Sequence, residues 1–288
     1  MRFRMWITML LLGLVYGFFI WFLFEATGGS LLPMALIAGG LALFQFFFSD
    51  KLVLKSMRAK VVSPEEAPEL HAMVEHLASR AGIPKPHVAV SQMAVPNAFA
   101  SGRNQKSATV TVTTGLMTTL TKEELEAVLA HELSHIKTKD VVVMTYASFF
   151  SVVASTLLSI LFWSSLFGGM GRNREGGGGL MMAYIVVLLV WVASQLLVSA
   201  LSRYREFAAD RGAAMLTGQP MALASALQRI SSQFSRVPKD DLRKAETLNA
   251  FFIMPAIGDS IANLFSTHPS LDRRVARLRE MQRELSLA

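Results

Sequence analysis

His131-Glu132-Leu133-Ser134-His135 places two imidazoles and a carboxylate within five residues. On a helix, residues i and i+4 stand one above the other, so both rings can address one point in space. Glu132 sits one step round the axis, placed to meet a water beside an ion rather than the ion itself. Two neutral imidazoles with an open coordination position suit catalytic zinc, and the spacing points to metal-assisted peptide hydrolysis with Glu132 as general base. Chance gives the pattern in on the order of 1 in 100 chains of this composition; the alternative is a pair of surface histidines beside acidic neighbours. There is no cysteine, so any further ligand must be His, Asp or Glu.

Candidates for that ligand are few. Glu206 and Asp210 lie i, i+4 in Ser202-Arg-Tyr-Arg-Glu-Phe-Ala-Ala-Asp210. They share one helical face, and the competing reading is a solvated charged face paired with Arg203 and Arg205. His268, just before Pro269, is either a site residue or a helix-entry residue. His71 and His76 are five apart, about 140° round a helix, so they diverge and read as surface residues. His87, following Pro86, reads as a surface or loop residue, and Asn97 after Pro96 as a turn residue.

The elements that must position these groups follow from the local pattern. Thr121-Lys-Glu-Glu124 is a capping box that starts the histidine-bearing helix. An amphipathic helix is expected over 64–80, with Leu70, Met73, Val74 and Leu77 at helical spacing. Strands are expected around 87–90, 98–100 and 108–114, with a turn at 103–106. The segment 271–285 is a basic amphipathic helix, lying either on anionic lipid or packed with a solvated basic face.

The rest of the chain is strongly apolar. Of 288 residues, 52% are hydrophobic and only 17% charged, against about 25% charged in an ordinary soluble domain. A disordered chain is excluded. Four apolar runs approach or exceed the roughly 17–25 residues that cross a bilayer: Met5–Phe24, Leu31–Phe48, Val141 to about Phe167, and Leu180 to about Leu201. The last two contain several Ser and Gln195, and a hairpin that only dips into the membrane is the alternative for them. The Gly176–Gly179 stretch between them reads as a flexible linker. The first run is too long for a signal peptide and lacks a cleavage site.

The net charge of +7 is placed at span ends, at Arg2, Arg4, Lys51, Lys55, Arg58 and Lys60. That is a membrane-orientation pattern rather than a nucleic-acid face, and it puts residues 49–140 and 202–288 in the cytoplasm. Arg172 and Arg174, in the loop left outside, run against it. The expected organisation is two spans over 1–48, a first soluble part over 49–140, a hydrophobic hairpin over 141–201 and a second soluble part over 202–288. A membrane hairpin returns the chain to the side it left. Glu206 as third ligand, with Asp210 orienting a histidine N–H, then makes a coherent site.

Two N-terminal spans, Pro96-Asn-Ala-Phe-Ala100, HELSH at 131–135, a hydrophobic hairpin, REFAAD at 205–210 and Ser266-Thr-His-Pro269 occur in that order. The combination resembles the HtpX family, bacterial and archaeal membrane zinc proteases related to the CAAX prenyl proteases. The resemblance implies a mainly α integral membrane protein: four transmembrane helices and a gluzincin-like α+β metallopeptidase domain with a small sheet. It implies one zinc per subunit on His131, His135 and Glu206, with Glu132 activating water and Asp210 supporting a ligand. It further implies His268 as an oxyanion stabiliser, and Asn97, Ala98, Phe99 and Ala100 as an exposed strand edge that pairs with substrate. Expected substrates are misfolded or damaged membrane proteins and unfolded polypeptides, cleaved at the cytoplasmic face of the cell membrane in quality control. Thr138 departs from the family, which often has Asn there; Asp140 matches its usual acidic residue. A proteolytically inactive zinc-binding receptor or scaffold is the rival function. A transporter is disfavoured, because the apolar runs carry almost no ionisable groups.

Overall fold

The structure, a computed structural model, describes residues 2–26, 40, 54–168, 177–234 and 268–287. The expected span at 31–48 lies outside them except for Gly40. The chain divides into two compact units, Met1–Phe46 with Met144–Leu201, and Phe47–Val143 with Ser202–Ala288.

The first unit is helical. It contains α1 (Arg2–Ala26), most of α5 (Asp140–Gly168) and the first part of α6 (Gly177–Thr217). Phe19, Ala154, Val187 and Val190 form its buried centre, with Val15, Leu157, Leu158 and Trp191 packed around them. The Tyr16 hydroxyl donates to the Ala147 carbonyl. Trp6, Leu10, Leu14, Trp21 and Leu189 point outward, each more than half exposed. Among the described residues, one helix, Met181–Thr217, is long and apolar enough to cross a membrane, and Trp6–Phe22 is a shorter apolar stretch. Gly177–Gly179 are helical rather than linker: glycine weakens a helix by about 1 kcal/mol per residue without forbidding it, and a long apolar run follows directly.

The second unit is built around a small mixed sheet and the histidine-bearing helix. Strands β1 (Ala59–Val61), β2 (His87–Ser91), β3 (Ala98–Ser101) and β4 (Thr109–Thr113) lie in the order β1-β2-β4-β3. β2 and β4 run parallel, pairing His87 with Thr109 through Ser91 with Thr113, while both outer strands are antiparallel to their neighbours. The sequence reading missed β1, whose three residues are too few to show an alternation. Thr114 is not strand: Thr113 caps α3 (Thr114–Thr119), its Oγ1 accepting from Leu116 N at 3.1 Å.

The helix expected from residue 64 begins later, as α2 (Pro68–Ala81), with Pro in its first turn and Gly82 at φ 69° closing it. His71 is buried, against expectation, because it shares a face with Val74 and Ala78; its Nε2 lies 3.1 Å from the Val62 carbonyl. His76 and His87 are exposed, as expected.

α4 (Lys122–Lys137) is the central element, packed against α2, β3 and α7 (Pro220–Phe234). Ala127 through Leu133 are at most 5% exposed. The capping box forms in full: Glu124 N donates to Thr121 Oγ1 at 3.3 Å and Thr121 N to Glu124 Oε2 at 3.0 Å. Glu124 Oε1 also accepts from Ser225 Oγ at 2.6 Å and lies 2.8 Å from Arg229 Nε, so the cap ties α4 to α7. α8 (Leu271–Leu287) packs on α7 and buries Arg274, Val275 and Leu278; Arg273, Arg279 and Arg283 are exposed. Of the two readings of this segment, it is the packed helix.

Removing the Thr121 hydroxyl leaves an N-terminal amide of α4 without its acceptor. Thr121→Ala is expected to destabilise the second unit by about 1 kcal/mol, read as a lowered thermal midpoint by circular dichroism in detergent.

Candidate metal centre

His131 and His135 sit on the inner face of α4, their ring centroids 4.7 Å apart and their planes nearly perpendicular. Their Nε2 atoms approach to 3.1 Å. Glu206 on α6 faces both: its Oε2 is 3.7 Å from His131 Nε2 and its Oε1 3.4 Å from His135 Nε2. One donor atom from each of the three lies within 4.8 Å of the others, a group that can hold a metal ion. His268 also reaches this point, with Nδ1 3.2 Å from Glu206 Oε2.

Each histidine turns its other nitrogen to a carboxylate. His131 Nδ1 is 3.0 Å from Asp210 Oδ1, and His135 Nδ1 is 2.7 Å from Asp140 Oδ2. An N–H held there keeps the Nε2 lone pair aimed at Glu206, the tautomer a metal ligand needs. Each of these carboxylates is in turn held by a guanidinium. Arg274 grips Asp210 two-fold, Nη2 to Oδ1 at 2.6 Å and Nε to Oδ2 at 3.0 Å, and its Nη1 lies 3.4 Å from Glu206 Oε2. Arg205 pairs with Asp140 and donates to the Thr138 carbonyl at 3.2 Å.

Asp140 gets into position because the chain turns sharply after α4. Lys139 adopts φ 57°, a left-handed conformation that costs a non-glycine residue roughly 1–2 kcal/mol. The turn folds Asp140 back over His135, and Thr138 Oγ1 donates to the same carboxylate. A threonine hydroxyl thus supplies a hydrogen bond at the position where the resemblance leads one to expect Asn.

The electrostatics fit a divalent cation. Glu132, Asp140, Glu206 and Asp210 are all at most 7% exposed, as four carboxylates, and the buried guanidiniums beside them are Arg205 and Arg274. With all four carboxylates ionised and the histidines neutral, the forms that bind a metal, four negative charges against two positive ones leave two in excess, the charge one divalent ion cancels. The Glu206 carboxyl is held well below the usual range: burial pushes it up, but His268, His135 and Arg274 outweigh burial. Asp210 is likewise lowered, with Arg274 and His131 overcoming burial. Burial pulls His135 down, but hydrogen bonding to Glu206 and the carboxylate charges raise it overall.

Glu132 differs. Burial dominates and raises its pKa, only partly offset by the two histidines and the backbone N–H of Ala100. A buried carboxyl with a raised pKa beside a candidate metal group suits proton transfer. Its neighbour Ala100 lies on β3, the edge strand. Thr113 N donates to the Asn97 carbonyl at 2.9 Å, and Asn97 N donates to Thr113 Oγ1 at 2.9 Å. With the period of two along an antiparallel pair, Phe99 and Ser101 also face β4, while Ala98 and Ala100 direct their backbone groups to the outer edge. The side chains of Asn97, Ala98 and Phe99 are buried, at 0%, 1% and 4%, so the edge offers main chain rather than exposed side chains. Phe99 packs with Met57.

The structure therefore brings His131, Glu132, His135, Glu206, Asp210 and His268 into one neighbourhood, with Ala100 of the 97–100 segment beside Glu132. The solvated pairing of Glu206 and Asp210 with Arg203 and Arg205 does not occur. Arg274 was missed as a site residue. The signal was available: Leu271, Val275 and Leu278 form an apolar stripe, and Arg274 stands inside it.

The chain matches the model of Peptidase family M48 over residues 64–282. It is 54% identical over 287 residues to a Protease HtpX homolog of Moorella thermoacetica, covering 98% of this chain and 94% of that one. It is 54% identical over 285 residues to Protease HtpX homolog 2 of Methanosarcina mazei, covering 98% and 96%. Its fold is similar to the crystal structure of S. mikatae Ste24p, with a TM-score of 0.58 at 22% identity; the match covers 96% of this chain and spans 66% of that one.

Helices α4 and α6 touch closely at the ligands. A Cβ added at Gly212 would fall against Ser134 Oγ and 2.8 Å from Ser134 Cβ. A rotamer change moves the hydroxyl but not the Cβ, so Gly212→Ala must push Glu206 and Asp210 away from the histidines. Such overpacking costs typically about 1–3 kcal/mol, and metal affinity measured by chelator competition is expected to fall. Ser134→Gly combined with Gly212→Ala should recover most of the loss.

Proposed function

The chain belongs to peptidase family M48, and from that premise we propose an integral membrane zinc endopeptidase. It cleaves misfolded or damaged membrane proteins, and unfolded polypeptides, at the cytoplasmic face of the cell membrane in protein quality control. The observation that carries the catalytic reading is the convergence of His131, His135 and Glu206 at Nε2-to-carboxylate distances of 3.4–3.7 Å, with buried Glu132 beside them.

His131, His135 and Glu206 would hold one zinc. Bound there, zinc supplies Lewis acidity that polarises a carbonyl and lowers the pKa of water. Glu132 accepts the water proton and returns it to the leaving amine, a cycle its burial-raised pKa supports. Asp210 and Asp140 fix the histidine tautomers. His268 donates to the oxyanion that develops on the scissile carbonyl. The outward backbone groups of Ala98 and the Ala100 carbonyl, the Ala100 N–H being held by Glu132, pair with an extended substrate strand, which brings a peptide bond next to Glu132. That mode reads main chain rather than side chains and suits substrates recognised for being unfolded.

The membrane reading takes α1, residues 31–48, α5 and the first part of α6 as four spans. It is supported by the apolar helix Met181–Thr217, by the outward apolar side chains of the first unit and by the basic residues after 50. On this reading the protein stays in the membrane fraction after washing at high pH.

The decisive test is casein cleavage by detergent-purified, zinc-loaded protein, with bound metal quantified in each variant. Glu132→Gln is expected to keep zinc and lose about 10²–10⁴-fold in kcat, and Glu206→Ala to lose zinc. Undiminished cleavage by Glu132→Gln would refute the assigned base. Zinc-loaded wild type that cleaves neither casein nor a destabilised membrane protein would favour a binding protein instead.

A further inference from the structure

Arg274 is the largest fully buried side chain of α8, at 0% exposure, and it lies 64 residues in sequence from the carboxylate it holds. It contacts two acidic groups with different tasks. Its Nε and Nη2 grip both oxygens of Asp210, and its Nη1 faces Glu206 Oε2 at 3.4 Å. Through Asp210, 3.0 Å from His131 Nδ1, it reaches a candidate metal ligand from behind. Through Glu206 it touches another directly.

A two-fold guanidinium–carboxylate contact fixes the carboxylate plane as well as its position, which a lysine ammonium does not do. The cation is delivered from α8 alone, whose other buried residues, Val275 and Leu278, are apolar. Elsewhere in the second unit the site is carried by α4, α6 and the turn at 138–140, with His268 entering from the residues just before α8.

Resting on the metallopeptidase reading above, we propose that Arg274 is a positioning residue that makes assembly of the metal centre conditional on docking of the C-terminal helix. With α8 docked, the fork sets Asp210, and so the ring of His131, and restrains Glu206. With α8 released, Asp210 and Glu206 face each other across the site without their shared cation, and the ligand set loses its geometry. The coupling is reciprocal, as any binding linkage must be: metal that favours the assembled ligands also holds α8 in place.

The test uses the full-length protein in detergent with zinc as the probe. Zinc affinity by chelator competition, the visible spectrum of the cobalt-loaded protein and hydrogen exchange over residues 271–287 are measured for wild type, Arg274→Lys, Asp210→Asn and Asp210→Asn/Arg274→Gln. In wild type, zinc should slow exchange across 271–287. Arg274→Lys keeps the charge but loses the fork, and should bind zinc roughly 10–100-fold more weakly, with a shifted cobalt spectrum and less zinc-dependent protection. The double variant should be no weaker than Asp210→Asn alone. An Arg274→Lys variant that matches wild type in affinity and spectrum overturns the proposal, as does exchange over 271–287 that ignores zinc in wild type. Should the lysine variant fail to fold, the wild-type exchange comparison decides alone. Wild type that binds no zinc overturns the metal-centre reading itself, which separates the two failures.

Discussion

Charge taken out of water sets the terms for the second unit. Glu132, Asp140, Glu206, Asp210, Arg205 and Arg274 are all nearly inaccessible. Each such ion costs several kcal/mol to desolvate, and a pair broken in the interior costs about 3–5 kcal/mol. The cluster therefore cannot be assembled in part. Asp210 without Arg274 would be a buried anion left with a histidine ring as its partner, and Asp140 without Arg205 one left with a histidine ring and a hydroxyl. Because these charges arrive from α4, the turn after it, α6 and α8, those elements are bound to one another by electrostatics as well as by the apolar core.

That dependence explains which features were legible in the sequence. The HExxH geometry is local: i, i+4 on a helix is enough, and the capping box at 121–124, which ends seven residues before His131, fixes where the helix begins. Glu206 and Asp210 became legible through the expected topology, since a membrane hairpin over 141–201 would return the chain to its starting side. Asp140 and Arg205 were visible as charges but not as partners, because a left-handed Lys139 between them and His135 has no reliable residue cue. Arg274 was hidden by its own type, an arginine in an arginine-rich helix reading first as solvated. His71 misled for a related reason: its angle to His76 says the two diverge, and says nothing about which one points inward.

Close approach carries as much of the geometry as charge does. Ser134 lies between the two histidines in sequence, and Gly212 lies two residues beyond Asp210. Small side chains at these facing positions let α4 and α6 come together where the carboxylates must reach the imidazoles. The sheet makes a comparable demand from the other side. β3 gives one set of backbone groups to β4 and keeps that of Ala100 beside Glu132, so helix and edge strand face each other at the residue proposed to handle the proton.

The same charge count limits what could replace these groups. Two arginines match two of the four carboxylates, and a divalent ion matches the remaining pair. A neutral third ligand in place of Glu206 would leave the metal-loaded cluster with one positive charge in excess, among carboxylates and guanidiniums that are almost wholly buried. A third buried arginine or lysine would do the same. A neutral residue in place of either arginine would leave it one negative charge in excess. The buried pairs are therefore weak evidence for stability in themselves; their number is matched to an ion of charge two. On this account the two guanidiniums are as much a part of the metal-binding chemistry as the residues that would touch the metal.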